Sequence, residues 1–279
     1  MIKFLIINEI IKVFNKKRTY ISFILITFLI PFVVWAISSG GSELEKKIYG
    51  QLIDSFIFIG SLINGYLSTY IIITILIAHM PFLATIVAAE IVSGEYSKST
   101  FRLYLTRPVS RNLVLLSKLI IVVIYTTMMM FYFIFYTLFI SVLWLGVGDL
   151  VVFHEGLLFL NYDDIIWRYF LSFFISNLVM ITISCLCFFI STLSRNSVTP
   201  IIISISTVFI GTAISFIPIP IFEKINPYLF TGYFNSFLVS FYDPIPWAYL
   251  LEGFIVCLFW SSIFIFLSFI SFSRKDIIE

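Results

Sequence analysis

The chain has 279 residues, of which 61% are apolar, 19% aromatic and only 11% charged. A soluble domain usually carries about 25% charged residues, so this composition excludes an ordinary soluble protein and predicts one that lies in a lipid bilayer. The net charge of +2 at pH 7 decides little, because the placement of Lys and Arg matters more than their sum in a membrane protein.

Charged residues divide the sequence into long uncharged runs. The runs cover residues 19–42, 55–89, 119–148, 169–194, 196–222 and 253–273. Each reaches the roughly 20 residues that a helix needs to cross about 30 Å of hydrocarbon. They predict an all-α polytopic membrane protein with a single transmembrane domain over 1–279. We expect its six transmembrane helices near 19–40, 56–89, 115–147, 167–193, 197–217 and 247–272. The remaining loops are too short for a nucleotide-binding, protease or kinase domain.

Basic residues predict the orientation of these spans, because cytoplasmic segments carry an excess of Lys and Arg. If both termini are cytoplasmic, most of the 17 basic residues fall inside. These are Lys3, Lys12, Lys16, Lys17, Arg18, Lys98, Arg102, Arg107, Arg111, Lys118, Arg195, Arg274 and Lys275. The sequence therefore predicts cytoplasmic N- and C-termini.

Three segments differ from plain spans. In residues 1–18, polar and apolar side chains recur at near-helical spacing, which predicts an interfacial helix with its apolar face in the headgroups; a simple juxtamembrane anchor is equally open. The run 55–89 is too long for one perpendicular span, and Pro81 predicts a kink after His79. Residues 218–246 contain five prolines, which favours a re-entrant outer segment of broken helices packed on protein over a disordered loop.

The chain shows little chemistry of its own. It has no Gly-Lys pair and so no phosphate-binding loop of the usual kind. The two histidines, His79 and His154, fall in different parts of the predicted topology and cannot share a metal, which needs three or four donors. We therefore expect no metal site and no enzymatic activity on this chain. Glu252, near the outer end of the last span, is the one candidate for an ion-coupled carrier.

Polar residues and one methionine mark a possible substrate path through the spans. The candidates are Asn64, Ser68, Met128, Ser172, Ser176 and Asn177. Residues of this kind more often let helices pack closely. Methionines such as Met128 adapt to varied shapes, which suits an amphipathic or hydrophobic substrate without identifying it.

The loop 90–112, between the second and third spans, carries the most information. Acids and bases alternate along it, its apolar positions allow a short amphipathic helix, and Pro108 suits the first turn of the next helix. The loop resembles the cytoplasmic loop of the membrane subunits of type-2 ATP-binding cassette (ABC) transporters. The matching residues are Glu90, Gly94, Leu103, Leu105, Pro108, Val109, Ser110, Arg111 and Lys118. Glu95 departs from the pattern, since the family often has Thr or Ser there.

The resemblance implies a division of labour between subunits. It implies that residues 90–112 form a coupling helix in a cleft of a separate ATPase, and that 1–18 form the connector helix at the membrane surface. Glu90 would pair with Arg107 or Arg111, and Phe101, Leu103 and Leu105 would make the apolar contact. Two ATPases, which bind ATP and Mg, would join two permeases, either two copies of this chain or one copy with a similar permease.

Our leading hypothesis is therefore the permease subunit of an ABC exporter in the cytoplasmic membrane of a prokaryote. The alternative is a membrane-anchored accessory or scaffold protein without a transport path. A third reading, an ion-coupled carrier, depends on Glu252.

Overall fold

The computed structural model describes residues 2–41, 63–97, 110–153 and 156–274. Its helices are α1 Ile2–Phe14, α2 Ile21–Ser39, α3 Gly65–Leu76, α4 Met80–Ser97, α5 Arg111–Leu145, α6 Tyr162–Leu193, α7 Val198–Phe216, α8 Pro220–Ile225 and α9 Trp247–Arg274. Two strands, β1 Leu150–Phe153 and β2 Leu157–Leu160, form an antiparallel hairpin in which Leu150 pairs with Leu160.

Six helical stretches in the described residues are long and apolar enough to cross a membrane, which confirms the predicted number of spans. They are Lys17–Ser39, Gly65–Tyr96, Arg111–Leu145, Asp163–Leu193, Val198–Phe216 and Trp247–Arg274. The third has 35 residues and is about 52 Å long at 1.5 Å per residue. Because this exceeds the hydrocarbon thickness of about 30 Å, it projects beyond the bilayer.

The spans alternate in direction, so the molecule has two ends. The α1 end holds α1, the last turn of α4, the first turn of α5 and the α6–α7 turn. The hairpin end holds the β-hairpin and residues 218–246, which we call the outer segment. The central helix is α6, since 67% of its most apolar stretch is buried, against 28% for α2, α7 and α9.

Hydrogen bonds between side chains join the spans inside the bundle. Thr126 on α5 bonds Ser184 on α6 at 2.8 Å, and Thr182 on α6 bonds Ser261 on α9 at 3.0 Å. Small hydroxyl residues of this kind satisfy each other and allow helices to approach closely in lipid.

The second span is interrupted near its middle. A 3-10 turn, Ile77–His79, separates α3 from α4, directly before Pro81. Proline has no N–H to donate and crowds the preceding turn, so the break lies where the sequence predicts a kink. The two halves of the span are therefore distinct helices joined at mid-depth.

The outer segment packs on the bundle. It consists of α8 and three 3-10 turns, Asn226–Tyr228, Phe230–Tyr233 and Ser236–Phe241. Its buried aromatic side chains are Phe230, Tyr233, Phe234, Phe237 and Phe241. Arg168 on α6 is 6% exposed and donates from Nη1 to the carbonyl oxygens of Ser240 (3.2 Å) and Tyr242 (2.7 Å). A cation beside these last carbonyls suits the negative end of the turn.

Close helix packing at the hairpin end depends on Gly65. A Cβ placed there would lie 2.6 Å from the Cα of Val142 and 2.7 Å from the carbonyl oxygen of Gly146, and the Gly65 N–H donates to that same oxygen at 2.9 Å. Asn64 caps α3, since its Oδ1 accepts from the N–H groups of Tyr66 (2.9 Å) and Leu67 (3.0 Å).

We expect Gly65→Ala to lower the stability of the bundle by about 1–3 kcal/mol, the usual cost of overpacking, because backbone atoms of α5 must move. Thermal unfolding in detergent measures the change. Gly41→Ala is the matched control, since among the described residues a Cβ at Gly41 meets the side chain of Ile63 alone, at 3.6 Å, an ordinary van der Waals distance. Equal melting temperatures for the two variants would contradict the close α3–α5 approach.

Candidate functional site

Four charged side chains meet at the α1 end. Glu9 and Lys12 come from α1, Glu95 from α4 and Lys118 from α5; we call them the charge cluster. Lys118 Nζ lies 2.9 Å from Glu9 Oε2 and 2.9 Å from Glu95 Oε1. Lys12 Nζ lies 2.9 Å from the same Glu95 oxygen and 3.6 Å from Glu9 Oε1. Two acids and two bases thus join three helices that are far apart in sequence.

The charge cluster is largely removed from solvent. The side chain of Lys118 is 0% exposed and those of Glu9 and Glu95 are 3% and 11% exposed, whereas Lys12 keeps 37%. A buried ion is stable only with close opposite charges, and loss of one partner leaves an uncompensated charge. The two acids and two bases of the cluster leave no net formal charge. The contacts of Glu9 with Lys118 and of Lys12 with Glu95 hold α1 against α5 and α4.

The orientation of α1 explains how its charges reach this site. Glu9 and Lys12 are three residues apart and so lie on one face of the helix. That face packs on protein, while the apolar side chains of Phe4, Ile7 and Ile11 are exposed. An exposed apolar stripe on a helix beside a membrane suits the headgroup layer.

Glu90 forms a second charged contact, one turn and a half before Glu95 on α4. Its carboxylate lies 3.4 Å from Lys16 Nζ and 4.0 Å from Arg18 Nη1. From the sequence, we expect Arg107 or Arg111 as its partner. In the described residues its contacts are with Lys16 and Arg18, which follow α1. Arg107 lies outside the described residues, so a salt bridge within the loop stays a prediction. The Arg18 side chain is 71% exposed, so this longer contact adds little.

Hydrogen bonds hold the turn between α1 and α2. The fully buried Tyr125 of α5 donates its hydroxyl to Ser22 Oγ (2.8 Å) and approaches the Thr19 carbonyl oxygen (3.2 Å). Ser22 in turn donates to the Leu83 carbonyl oxygen of α4 at 3.3 Å. The turn is therefore tied to the same two helices as α1.

On its other side, α4 is joined to the α6–α7 turn through serines. The Ser93 N–H donates to Ser191 Oγ (3.0 Å), which donates to the Ala89 carbonyl oxygen (2.6 Å), and Ser93 Oγ lies 3.3 Å from Ser197 Oγ. Gly94 leaves room here, since a Cβ on it would lie 3.6 Å from Ser197 Oγ and 2.8 Å from Glu90 Cγ. The last turns of α4 thus contact α1, α5, α6 and α7.

Of the predicted coupling residues, Glu90, Gly94 and Lys118 lie within this junction. Arg111 begins α5, is exposed, and interacts electrostatically with Tyr96. The others lie outside the described residues: Phe101, Leu103, Leu105, Arg107 and Pro108. The segment 98–109, which also lies outside the described residues, follows α4 and precedes α5 in the chain.

The predicted path residues have different surroundings in the described part of the chain, and their role in a path stays a prediction. Asn64 caps α3, and Ser68, Ser172 and Ser176 are buried within the helix packing, with Ser176 Oγ donating to the Ser172 carbonyl oxygen at 2.8 Å. Met128 is 47% exposed on the outside of the bundle.

Asn177 lines a groove between α6 and α9. Glu252 is exposed at the hairpin end, as expected for a side chain at the headgroup level.

Sequence reasoning passed over three residues of the charge cluster. Glu9 and Lys12 belong to a polar face whose spacing fits water as well as protein. Glu95 stands out only as a departure from the family pattern, and the structure shows that this departure supplies the acid shared by Lys12 and Lys118. The sequence does contain one indication of the cluster. Glu95 lies near the end of the second span and Lys118 lies about two turns into the third, which favours a contact between them.

A family profile described as "ABC-2 family transporter protein" matches residues 5–211. The match begins in α1 and ends in α7, so it covers the charge cluster, the first four spans and most of the fifth. No curated protein matches the chain.

We expect Lys118→Met to destabilise the protein by about 3–5 kcal/mol, the usual cost of breaking a buried ion pair from one side. Thermal unfolding in detergent measures the loss. Lys17→Met, at an exposed lysine of the same end, should stay within about 0.5 kcal/mol of the wild type. Adding Glu95→Gln to Lys118→Met should recover part of the loss, because one opposing charge leaves with it. Equal effects at Lys17 and Lys118 would contradict a buried cluster.

Proposed function

The chain belongs to the ABC-2 family of transporter membrane proteins, and from that premise we propose that the charge cluster couples it to its ATPase. A permease of this family is a transport subunit and not itself a catalyst, so ATP hydrolysis takes place on a partner ABC ATPase. ATP and Mg bind that partner. The observation that carries the proposal is the contact between Glu95, which precedes the segment 98–109 in the chain, and Lys118, which follows it.

Coupling proceeds through rigid contacts. Closure of the ATPases displaces the segment 98–109, which is continuous with α4 and α5. Glu95 near the end of α4 and Lys118 in α5 lie 2.9 Å apart, so the two helix ends move together. Glu9 adds α1 to the same unit through its contact with Lys118.

The movement also reaches the other half of the bundle. Ser93 contacts Ser191 and Ser197, on either side of the α6–α7 turn. The 3-10 turn Ile77–His79 separates α4 from α3, so α4 has a natural point about which to tilt. A single displaced loop can therefore rearrange α4, α5, α6 and α7 without any charge crossing the bilayer.

Charge placement supports the orientation. The described basic residues at the α1 end are Lys3, Lys12, Lys16, Lys17, Arg18, Arg111, Lys118, Arg195 and Arg274, against Arg168 and Lys224 at the hairpin end. By the positive-inside rule the α1 end faces the cytoplasm, where a soluble ATPase can reach it. We place the protein in the cytoplasmic membrane of a prokaryote, with two permeases and two ATPases in the working transporter.

The interior of the bundle supports a proposal for the substrate class. The described spans carry few charged side chains between their ends, and their buried polar groups are mainly hydroxyls. Such an interior suits an amphipathic or hydrophobic substrate that leaves the membrane or cytoplasm, so we propose export.

We expect a soluble ATPase to co-purify with the wild-type chain in mild detergent, and replacement of 98–106 by a Gly/Ser linker to abolish that association. Glu95→Gln should retain the ATPase but lower permease-stimulated ATP hydrolysis several-fold, because the helix ends are no longer joined. Quantitative pull-down and phosphate release in nanodiscs measure the two effects separately.

Glu252→Gln is the matched control and should change neither association nor hydrolysis, since Glu252 is exposed at the opposite end. ATPase stimulation that survives the 98–106 replacement would contradict coupling through this loop. Retention of an ATPase without any effect on its activity would favour the scaffold. Substrate movement that needs Glu252 and no ATPase would favour the ion-coupled carrier.

A further inference from the structure

A groove of about 330 Å³ lies between α6 and α9, beneath the outer segment. We call it the α6–α9 groove. Most of its wall is hydrocarbon, as shown by Phe174 and Leu178 on α6 and by Leu250 and Phe254 on α9. The volume is in the range of binding sites for small organic molecules, about 300–1,000 Å³.

One polar side chain in the groove, Asn177, has a buried oxygen without a hydrogen-bond partner. The residue is 9% exposed, and the unpaired atom is its Oδ1. Its Nδ2 donates to Thr127 Oγ1 at 3.4 Å, a long contact. An unpaired amide oxygen in an apolar environment is unfavourable. Asn177 lies in the middle of the 32-residue α6, so bulk water is far from it.

The other polar groups that line the groove are already engaged. Tyr233 donates its hydroxyl to the Pro227 carbonyl oxygen at 3.1 Å, and Ser236 Oγ donates to the Tyr233 carbonyl oxygen at 2.6 Å. Burial, and to a lesser extent the charge of Glu252, raises the pKa of the Tyr233 phenol, which keeps its proton on the hydroxyl that donates. Asn177 is therefore the side chain in this groove whose acceptor is left over.

Glycine at position 253 shapes the groove. A Cβ there would lie 2.6 Å from Cδ1 of Tyr233, so the absent side chain lets the outer segment close over α9. The groove thus has a protein roof, apolar walls and an amide at its inner surface.

We propose that the α6–α9 groove binds a membrane-resident amphiphile whose hydroxyl or amide N–H donates to Asn177 Oδ1 while its hydrocarbon part packs on Phe174, Leu178 and Phe254. Asn177 lines the groove, and in the observed orientation its Nδ2 is the atom that contacts Thr127, which leaves Oδ1 as the acceptor for an occupant. The occupant is either a lipid or a molecule on its way through the transporter, and both share this chemistry.

The test compares two photoreactive probes, a diazirine-bearing octanol and the corresponding diazirine-bearing octane, with the purified full-length chain in nanodiscs. Peptides from α6 and α9 are analysed by mass spectrometry. We expect the wild type to be labelled about three- to tenfold more by the alcohol than by the alkane, the advantage of one hydrogen bond. Asn177→Leu should lower this ratio to about 1 while alkane labelling persists, which shows that the groove is intact.

Thr207→Val on α7 is the matched control, because the Thr207 hydroxyl bonds its own helix at Ile203; its ratio should equal that of the wild type. A wild-type ratio near 1, a ratio unchanged in Asn177→Leu, or labelling confined to other helices would overturn the proposal.

Labelling repeated with the ATPase and MgATP distinguishes the two sources. Alcohol labelling that changes with nucleotide assigns the site to a transported molecule, and labelling that does not change assigns it to a lipid. Either result supports the groove as a binding site. Loss of coupling in the 98–106 replacement would leave the probe ratio unchanged, so failure of the proposed function and failure of this site are separable.

Discussion

A lysine without solvent contact is the constraint around which the α1 end is built. A buried charge is unfavourable unless opposite charges lie close to it, and the two acids close to Lys118 come from α1 and α4. Their approach sets the position of α1 at the membrane surface and brings Lys16 close to Glu90. The exposed apolar stripe of α1 and the tie through Tyr125 then follow from a helix that is already fixed.

Elsewhere in the bundle, hydrogen bonds between hydroxyl side chains join the helices in place of ion pairs. Beyond α4, short serine hydrogen bonds replace ion pairs, and deeper in the membrane Thr126 and Ser184 join α5 to α6. Charges lie near the ends of the spans, where water and headgroups are near, and hydroxyls occupy the interior, where an unpaired charge would be much less stable. The described part of this ABC-2 family protein thus has a charged end and an interior whose buried polar groups are mainly hydroxyls.

Much of this architecture could be predicted from sequence. Hydropathy alone predicts six spans because lipid leaves so few ways to satisfy a backbone, and Pro81 predicts the break in the second span. The complete charge cluster could not be predicted, since Lys12 is 83 residues from Glu95 and Glu9 is 109 residues from Lys118 in the chain. Only the Glu95–Lys118 pair, on consecutive spans, left a signal in the sequence. The β-hairpin was also not predicted, because strands of four residues leave too short an apolar pattern. Asn177 was a candidate by composition, but only the packing of α6, α9 and the outer segment shows that its oxygen is unpaired.

The chain order of the charge cluster has a consequence for biosynthesis. Glu9 and Lys12 leave the ribosome first and can neutralise each other within one helix. Glu95 follows, when Lys12 is already at the membrane surface. Lys118, the most deeply buried of the four, is synthesised last, after both of the acids that it contacts, Glu9 and Glu95. The acids that the burial of Lys118 requires are therefore already synthesised when Lys118 leaves the ribosome.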